Sequence, residues 1–301
     1  SSEIDPDPIN VVLELRNEVY AINRHSIEVF DNVGGTGFPF ERIEGAQIQR
    51  GTIGHRAATV FDNKVAFVGG GRNEPPGVYI GLNGGNQKIS TQEIDVVLQG
   101  YTENELAEIV VESRTQLTHV WLYIHLPDQV LVYDAEATRV LQTPVWFTLS
   151  GGIITKTQYP ARSFVWVYDK WLVGDPVTGR ISTPVKTVSS HFGDKVKWDF
   201  NVTIAYNGGM GAIVHDMELV SLTGETALGD DPVITTEYTI DGVTWSQPET
   251  TSAGKQGERA QRIAWRRGGK MSNWRSQRFS GSSDAHISIA RLEARLEGLA
   301  F

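Results

Sequence analysis

The run Val120-Trp-Leu-Tyr-Ile-His125 is followed by Pro127-Asp128 and then by Val130-Leu-Val-Tyr133. β-Branched and aromatic residues crowd both runs, and the Pro-Asp pair between them is turn chemistry. Two strands joined by so short a connection must be antiparallel. Downstream, Asp134-Ala-Glu-Ala-Thr138 interrupts the pattern, and Val140-Leu141 and Val145-Trp-Phe-Thr-Leu149 resume it around Pro144. The reading is an antiparallel meander.

The motif recurs in both directions along the chain. Glu18-Val-Tyr-Ala-Ile22 precedes Ser26-Ile-Glu-Val-Phe30 and a glycine-rich break at Gly34-Gly-Thr-Gly37. Lys64-Val-Ala-Phe-Val68 precedes Gly77-Val-Tyr-Ile-Gly-Leu82, the turn Asn83-Gly84-Gly85 and Gln87-Lys-Ile-Ser90. Ser163-Phe-Val-Trp-Val-Tyr168 precedes Trp171-Leu-Val173, the turn Asp175-Pro-Val-Thr-Gly179 and Arg180-Ile-Ser182. Tyr20, Phe67, Tyr123 and Val167 then mark equivalent strands, at steps of 47, 56 and 44 residues. A degenerate period of roughly 40–50 residues with several strands per unit predicts a β-propeller-like array of about four blades. Stacked blades cover each other's faces, so Val120–Ile124 and Phe164–Val167 should be apolar on both sides, whereas β-sandwiches would alternate more cleanly.

Helix signals are few. Thr102-x-x-Glu105 has the form of a capping box for one or two turns through Leu106-Ala-Glu-Ile109. Near the C-terminus, Ile289, Leu292, Leu296 and Leu299 fit a helical stripe, while His286-Ile-Ser-Ile-Ala290 alternates like a strand. From about Val196 the repeat fades, and Asp199–Thr203, Met217–Leu222, Val233–Thr239 and Ala260–Trp265 read as strands of a different β module. The expected division is 1–195 for the propeller-like repeats and 196–301 for a C-terminal β module or closing blades. The class is all-β with little helix.

Composition narrows the chemistry. The 301 residues contain no cysteine, which excludes disulfides, thiolate metal sites and a cysteine nucleophile. No apolar run approaches the roughly 18–20 residues that cross a bilayer. With 40% hydrophobic and 21% charged residues the chain can bury a core, and a net charge of −9 disfavours nucleic-acid binding by the whole surface.

Seven histidines are scattered; His119 and His125 share a strand face but stand roughly 20 Å apart, too far for one metal. No GxSxG or GxxxxGK[ST] motif occurs, and Gly69-Gly70-Gly71-Arg72 reads as an inter-strand loop because no helix follows it. Asp5/Asp7, Asp230/Asp231 and Glu103/Glu105/Glu108 are sequence neighbours, which does not make a facing carboxylate pair. Thr239-Ile-Asp-Gly-Val-Thr-Trp245 resembles, one residue short, the Asp-box turn of sialidase-type propellers; a turn at Asp241-Gly242 with Trp245 packed behind it accounts for the same residues.

One segment stands out by charge. Arg259, Arg262, Arg266, Arg267, Lys270, Arg275 and Arg278 give seven cations against Glu258 alone, with Trp265 and Trp274 interleaved. Guanidinium groups fork to oxyanions and stack on indoles, so the segment is the candidate assembly interface, protein partners being favoured over nucleic acid. A solvated hairpin around Arg267-Gly-Gly-Lys270, with Ile263 and Trp265 packed inward, is the plain structural alternative.

Taken in order, several strings resemble the packaged-DNA stabilization proteins, or tail hub (tail accessory) proteins, of short-tailed bacteriophages. They are Asp5-Pro-Asp7, Ser26–Phe30, Phe38-Pro-Phe-Glu-Arg-Ile-Glu-Gly-Ala46 and Gly51-Thr-Ile-Gly-His-Arg56. Val68-Gly-Gly-Gly71, Val78-Tyr79, Gln87-Lys-Ile-Ser-Thr91, Val130–Asp134, Pro144-Val-Trp146 and Trp171–Asp175 follow. Asp241–Trp245 and Arg262-x-x-Trp265-Arg266-Arg267 close the series.

The resemblance implies a non-enzymatic virion part, made in the host cytoplasm and located in the tail, with no cofactor or metal. Such proteins form a homo-hexameric ring below the portal and its adaptor ring, close the channel on packaged DNA and carry the tail needle and tailspikes. The resemblance leaves direct DNA contact open and implies no membrane span. Family members carry further blade-like sequence before the Asp-Pro-Asp segment, so the Ser1-Ser2-Glu3 start reads as a truncation. The rival expectation is a sialidase-like or glycan-binding β-propeller.

Overall fold

The computed structural model describes residues 7–34, 37–155, 157–185 and 187–299. Asp5 and two residues of the predicted 34–37 break lie outside them. The chain divides into two compact units, Ser1–Ser150 with Thr157–Gly179, and Gly151–Lys156 with Arg180–Phe301.

In the first unit, strands follow one another as antiparallel meanders. Ile9–Leu15, Glu18–Asn23, Ile27–Asn32 and Phe40–Arg42 form the first sheet in sequence order. The second is built on Lys64–Gly70, which pairs with Gly51–Thr52, Ala58–Phe61 and Gly77–Leu82; Gly85–Lys88 closes it. The third runs Val110–Gln116, His119–His125, Val130–Asp134, Trp146–Gly151 and Thr157–Gln158. Arg162–Val167 and Lys170–Gly174 then form a further hairpin.

Of the five two-residue turns that connect these strands, four share one geometry: Arg16-Asn17, Asp62-Asn63, Asn83-Gly84 and Tyr168-Asp169. In each, both residues have positive φ. That geometry matches the right-handed strand twist and selects Asn, Asp and Gly, which supply most of these positions.

Alternation along the middle strands explains the stacking. Val65, Phe67 and Tyr79 pack with Tyr20, Ile22, Ile27 and Val29 of the first sheet. Their neighbours Ala66, Val68 and Val78 pack with Leu122, Ile124, Leu131 and Tyr133 of the third. The opposite face of that sheet, Tyr123, Val130 and Val132, packs against Tyr159 and Phe164. The second and third sheets are thus covered on both sides by their neighbours, as blades of a propeller are. Gly69 makes a closer approach possible: a Cβ there would stand 1.9 Å from the Gly51 carbonyl oxygen. The glycines at 69 and 70 therefore belong to a strand, and the expected loop begins only after them.

Two further local readings change, and one helix is added. Phe164–Val167 is not covered on both faces; Val165 and Trp166 are 54% and 55% exposed. Ala135–Leu141 is a helix, not a resumption of strand, because the Asp134 carboxylate accepts from Ala137 N at 2.9 Å and caps it. Gln92–Gln99 is a helix that buries only Ile94 and Leu98. The capping box at Thr102 opens the helix Glu103–Ala107, with both reciprocal bonds formed.

The second unit contains a β-sandwich. One sheet orders Trp198–Ala205, Trp274–Gly281, Val233–Thr239 and Glu249–Ser252; the other places Ala212–Leu222 between Ile263–Met271 and Ser288–Gly298. Leu219, Ile234, Ile263, Trp265 and Phe279 form the core between them, joined by Trp198, Phe200 and Leu292. The C-terminal segment is a strand.

Candidate functional site

The seven cations do not act as one group. Arg266, Arg267 and Lys270 lie on Ile263–Met271 and Arg262 just before it, whereas Arg275 and Arg278 lie on Trp274–Gly281 in the other sheet. Arg262 forks onto Glu218, Arg259 approaches Glu225 at 3.7 Å, and Arg278 pairs with Glu237 at 2.5 Å while lying 4.1 Å from the Trp245 ring centroid. Their charges are engaged within the chain. Ile263 and Trp265 are buried, as the packing alternative expects, and Trp265 meets Phe279.

Arg267-Gly268 is a bulge within a strand rather than the tip of a hairpin. Val214 pairs with Gly269 and Asp216 with Arg266, so two residues oppose His215 alone. Arg267 takes φ +60° and Gly269 φ +84°. Gly268 is required by contact: a Cβ there would lie 2.7 Å from Val214 Cγ1.

Beneath the bulge, the buried Arg275 guanidinium donates to the Gly268 carbonyl and, at 2.7 Å, to Gln277 Oε1, and sits 3.7 Å from the Tyr238 ring centroid. Burial pulls its pKa down to about 10, which leaves it charged at neutral pH. Arg275 is thus a structural cation holding the bulge in shape.

What the bulge displays is Arg266, Arg267 and Lys270, all exposed and engaging no carboxylate among the described residues. Arg266 and Arg267 line an open recess of about 690 Å³ with His215, Asp216 and Arg295. Arg295 pairs with Asp216 at 2.5 Å and His215 with Glu297 at 2.7 Å. Arg295 was invisible as a partner of this surface in sequence, because a C-terminal strand has to be recognised before the two segments meet.

The other candidate chemistries resolve into structure. Asp241 accepts from the backbone N–H groups of Val243 and Thr244, each at 2.8 Å, and from the Thr239 hydroxyl, which hold its carboxyl well below the usual range. This is a turn that satisfies itself. The buried Tyr20 donates to Glu18 at 2.9 Å, and its phenol is pushed up to about 12 by burial and then by Glu18. His119 is held by Asp134 at 2.7 Å and His125 lies 3.3 Å from Glu112, two separate contacts. Among the described residues no group of three or more metal-ligating side chains converges, and no helix is long and apolar enough to cross a membrane.

Face-stacked antiparallel meanders followed by a β-sandwich define a two-part, all-β chain of β-propeller and β-sandwich type. Residues 1–189 match the family described as bacteriophage P22 Gp10, beta-propeller, and residues 197–297 match bacteriophage P22 Gp10, beta-sandwich. The chain belongs to the P22 Gp10 family. It is 24% identical over 299 residues to the tail hub protein gp10 of Salmonella phage P22, covering 98% of this chain and 62% of that protein. The chain therefore spans less than two thirds of that relative's length. A solved exo-β-1,3-galactanase from Phanerochaete chrysosporium, with galactose, aligns at a TM-score of 0.31 and 9% identity, over 94% of this chain and 80% of that one. Likeness of that degree does not bear on activity.

Proposed function

We propose that this chain is the structural, non-enzymatic body of a phage tail hub, located in the virion tail and made in the host cytoplasm. In this reading residues 1–195 form the propeller-like part and 196–301 the sandwich. The hub closes the portal channel after genome packaging, stabilises the packaged DNA and links the portal and adaptor ring to the tail needle and tailspikes. The observation that carries the reading is the ordered match of both parts to one family, together with a relative named as a tail hub across nearly the whole chain. In a homo-hexameric ring each subunit contact is heterologous and ring-closing, a role suited to blades that hold loops at fixed geometry.

The exposed cations Arg266, Arg267 and Lys270 are the part of the predicted interface we assign to a tail protein partner. Unpaired guanidinium groups on a rigid bulge favour an acidic protein surface, and the carboxylates Asp216 and Glu297 close by disfavour a phosphodiester backbone. The test is co-sedimentation of purified full-length protein with DNA-filled, tail-less heads that already carry the portal and adaptor ring. Stoichiometric binding supports the reading, and failure to bind contradicts it.

A further inference from the structure

The strand Ser288–Gly298 is eleven residues long and pairs on one side only, with Ala212–Leu222. Among the described residues its other edge meets no strand. An open edge of that length is a template for another strand, and proteins usually protect it with charges, bulges or proline. One irregularity falls early, where Val220 and Ser221 face Arg291 and Ile289 and leave Ala290 over. The second adds its extra residue, His215, to the partner strand, so Arg291 to Glu297 follow one another without a bulge of their own. Along this stretch Arg291, Glu293, Arg295 and Glu297 are exposed and share one face by alternation, while Leu292 and Leu296 lie half-buried on the other. Charges of alternating sign do not simply repel a second copy; their order decides whether they attract it.

The order is two-fold symmetric about Ala294. When a second copy pairs antiparallel with Ala294 opposite Ala294, Arg291 faces Glu297 and Glu293 faces Arg295, twice over. On the other face Leu292 meets Leu296. Shifting the centre by one residue in either direction puts like charges opposite each other: Arg291 with Arg295 about Glu293, or Glu293 with Glu297 about Arg295. Like charges directly across a strand pair are unfavourable, and opposite ones favourable.

We infer that this edge is a homodimerisation site, at which two copies join antiparallel through residues 291–297 into one continuous sheet. The present partners of these side chains, Glu293 for Arg291, Asp216 for Arg295 and His215 for Glu297, are exposed ion pairs. Pairs of that kind stabilise little and rearrange readily. The contact is isologous and stops at two chains, so it is distinct from the heterologous contacts of a cyclic ring and does not rest on the tail hub reading.

The absence of cysteine permits a direct test on the 301-residue chain. Ala294→Cys places two thiols opposite each other on the axis and should yield a disulfide-linked dimer under mild oxidation. Glu293→Cys, whose copies are offset by two residues, should not. Sedimentation should show a dimer that weakens with salt. Arg291→Glu/Arg295→Glu and Glu293→Arg/Glu297→Arg should each be monomeric, and an equimolar mixture should restore a 1:1 complex, a gain that misfolded variants cannot produce. A monomeric wild type, together with an Ala294→Cys variant that does not cross-link, overturns the inference. So does a dimer indifferent to both charge variants, or a wild-type edge that pairs only with a strand of another protein.

Discussion

Glu112 shows how a single residue ties the third sheet to the hairpin that follows it. Its carboxylate accepts from Ser163 N at 3.0 Å through both oxygens and stands 3.3 Å from His125 Nε2. Burial alone would raise its pKa; His125 and the backbone N–H groups of Ser163 and Phe164 outweigh it and hold the group below 4.5. A depressed carboxyl contributes stability above its unfolded pKa and loses it as pH falls through the folded value. Thermal melts should therefore fall in Tm as pH drops below about 4.5, and Glu112→Gln should flatten that acid limb while lowering Tm at pH 7. Arg275 carries the corresponding duty under the cationic bulge. Arg275→Met leaves the Gly268 carbonyl without its donor and should cost about 1–3 kcal/mol in urea unfolding. Gly268→Ala should cost a similar amount by overpacking Val214, about 1–3 kcal/mol.

At the scale of elements, legibility followed the strength of local patterning. Val120–Tyr133 reads as strand because β-branched and aromatic residues occupy nearly every position, and its buried alternation supplies contacts to both neighbouring sheets. Phe67 sits in the strand buried on both faces, so Phe67→Ala should cost about 3–5 kcal/mol by chemical denaturation. Other elements concealed themselves for physical reasons. The helix Gln92–Gln99 has no side-chain cap at Thr91 and buries two residues, too little signal to separate it from a loop. In Ala135–Leu141 the exposed Val140 and Leu141 imitate a strand, and Asp134 alone announces the helix. At the C-terminus, the register shift after Ile289 changes the parity of core-facing positions. The core-facing Ile289 and Leu292, with the half-buried Leu296, thereby acquire a helix-like spacing within a strand. The candidate interface was legible as a concentration of charge, but not as a surface. Only the register shows that Arg262 and Arg278 are engaged with Glu218 and Glu237, that Arg275 is buried, and that Arg295 joins from another strand.

For the whole molecule, a net charge of −9 makes a local cationic bulge conspicuous, and it sets an expectation for assembly. Arg266→Glu with Arg267→Glu should leave the thermal melt within about 0.5 kcal/mol of wild type, as surface substitutions do. Incorporation into tails should fall about tenfold or more, roughly 1.4 kcal/mol of binding free energy. Normal incorporation would remove these residues from the interface. Sealing of a filled head, as proposed, is tested by DNA retention. DNA-filled, tail-less heads are incubated with the full-length protein and the tail components that precede it, and nuclease-accessible DNA is followed over time. Addition of the protein should sharply lower DNA loss in proportion to the amount bound. Heads that bind the protein but lose DNA at the rate of untreated heads would contradict the sealing role.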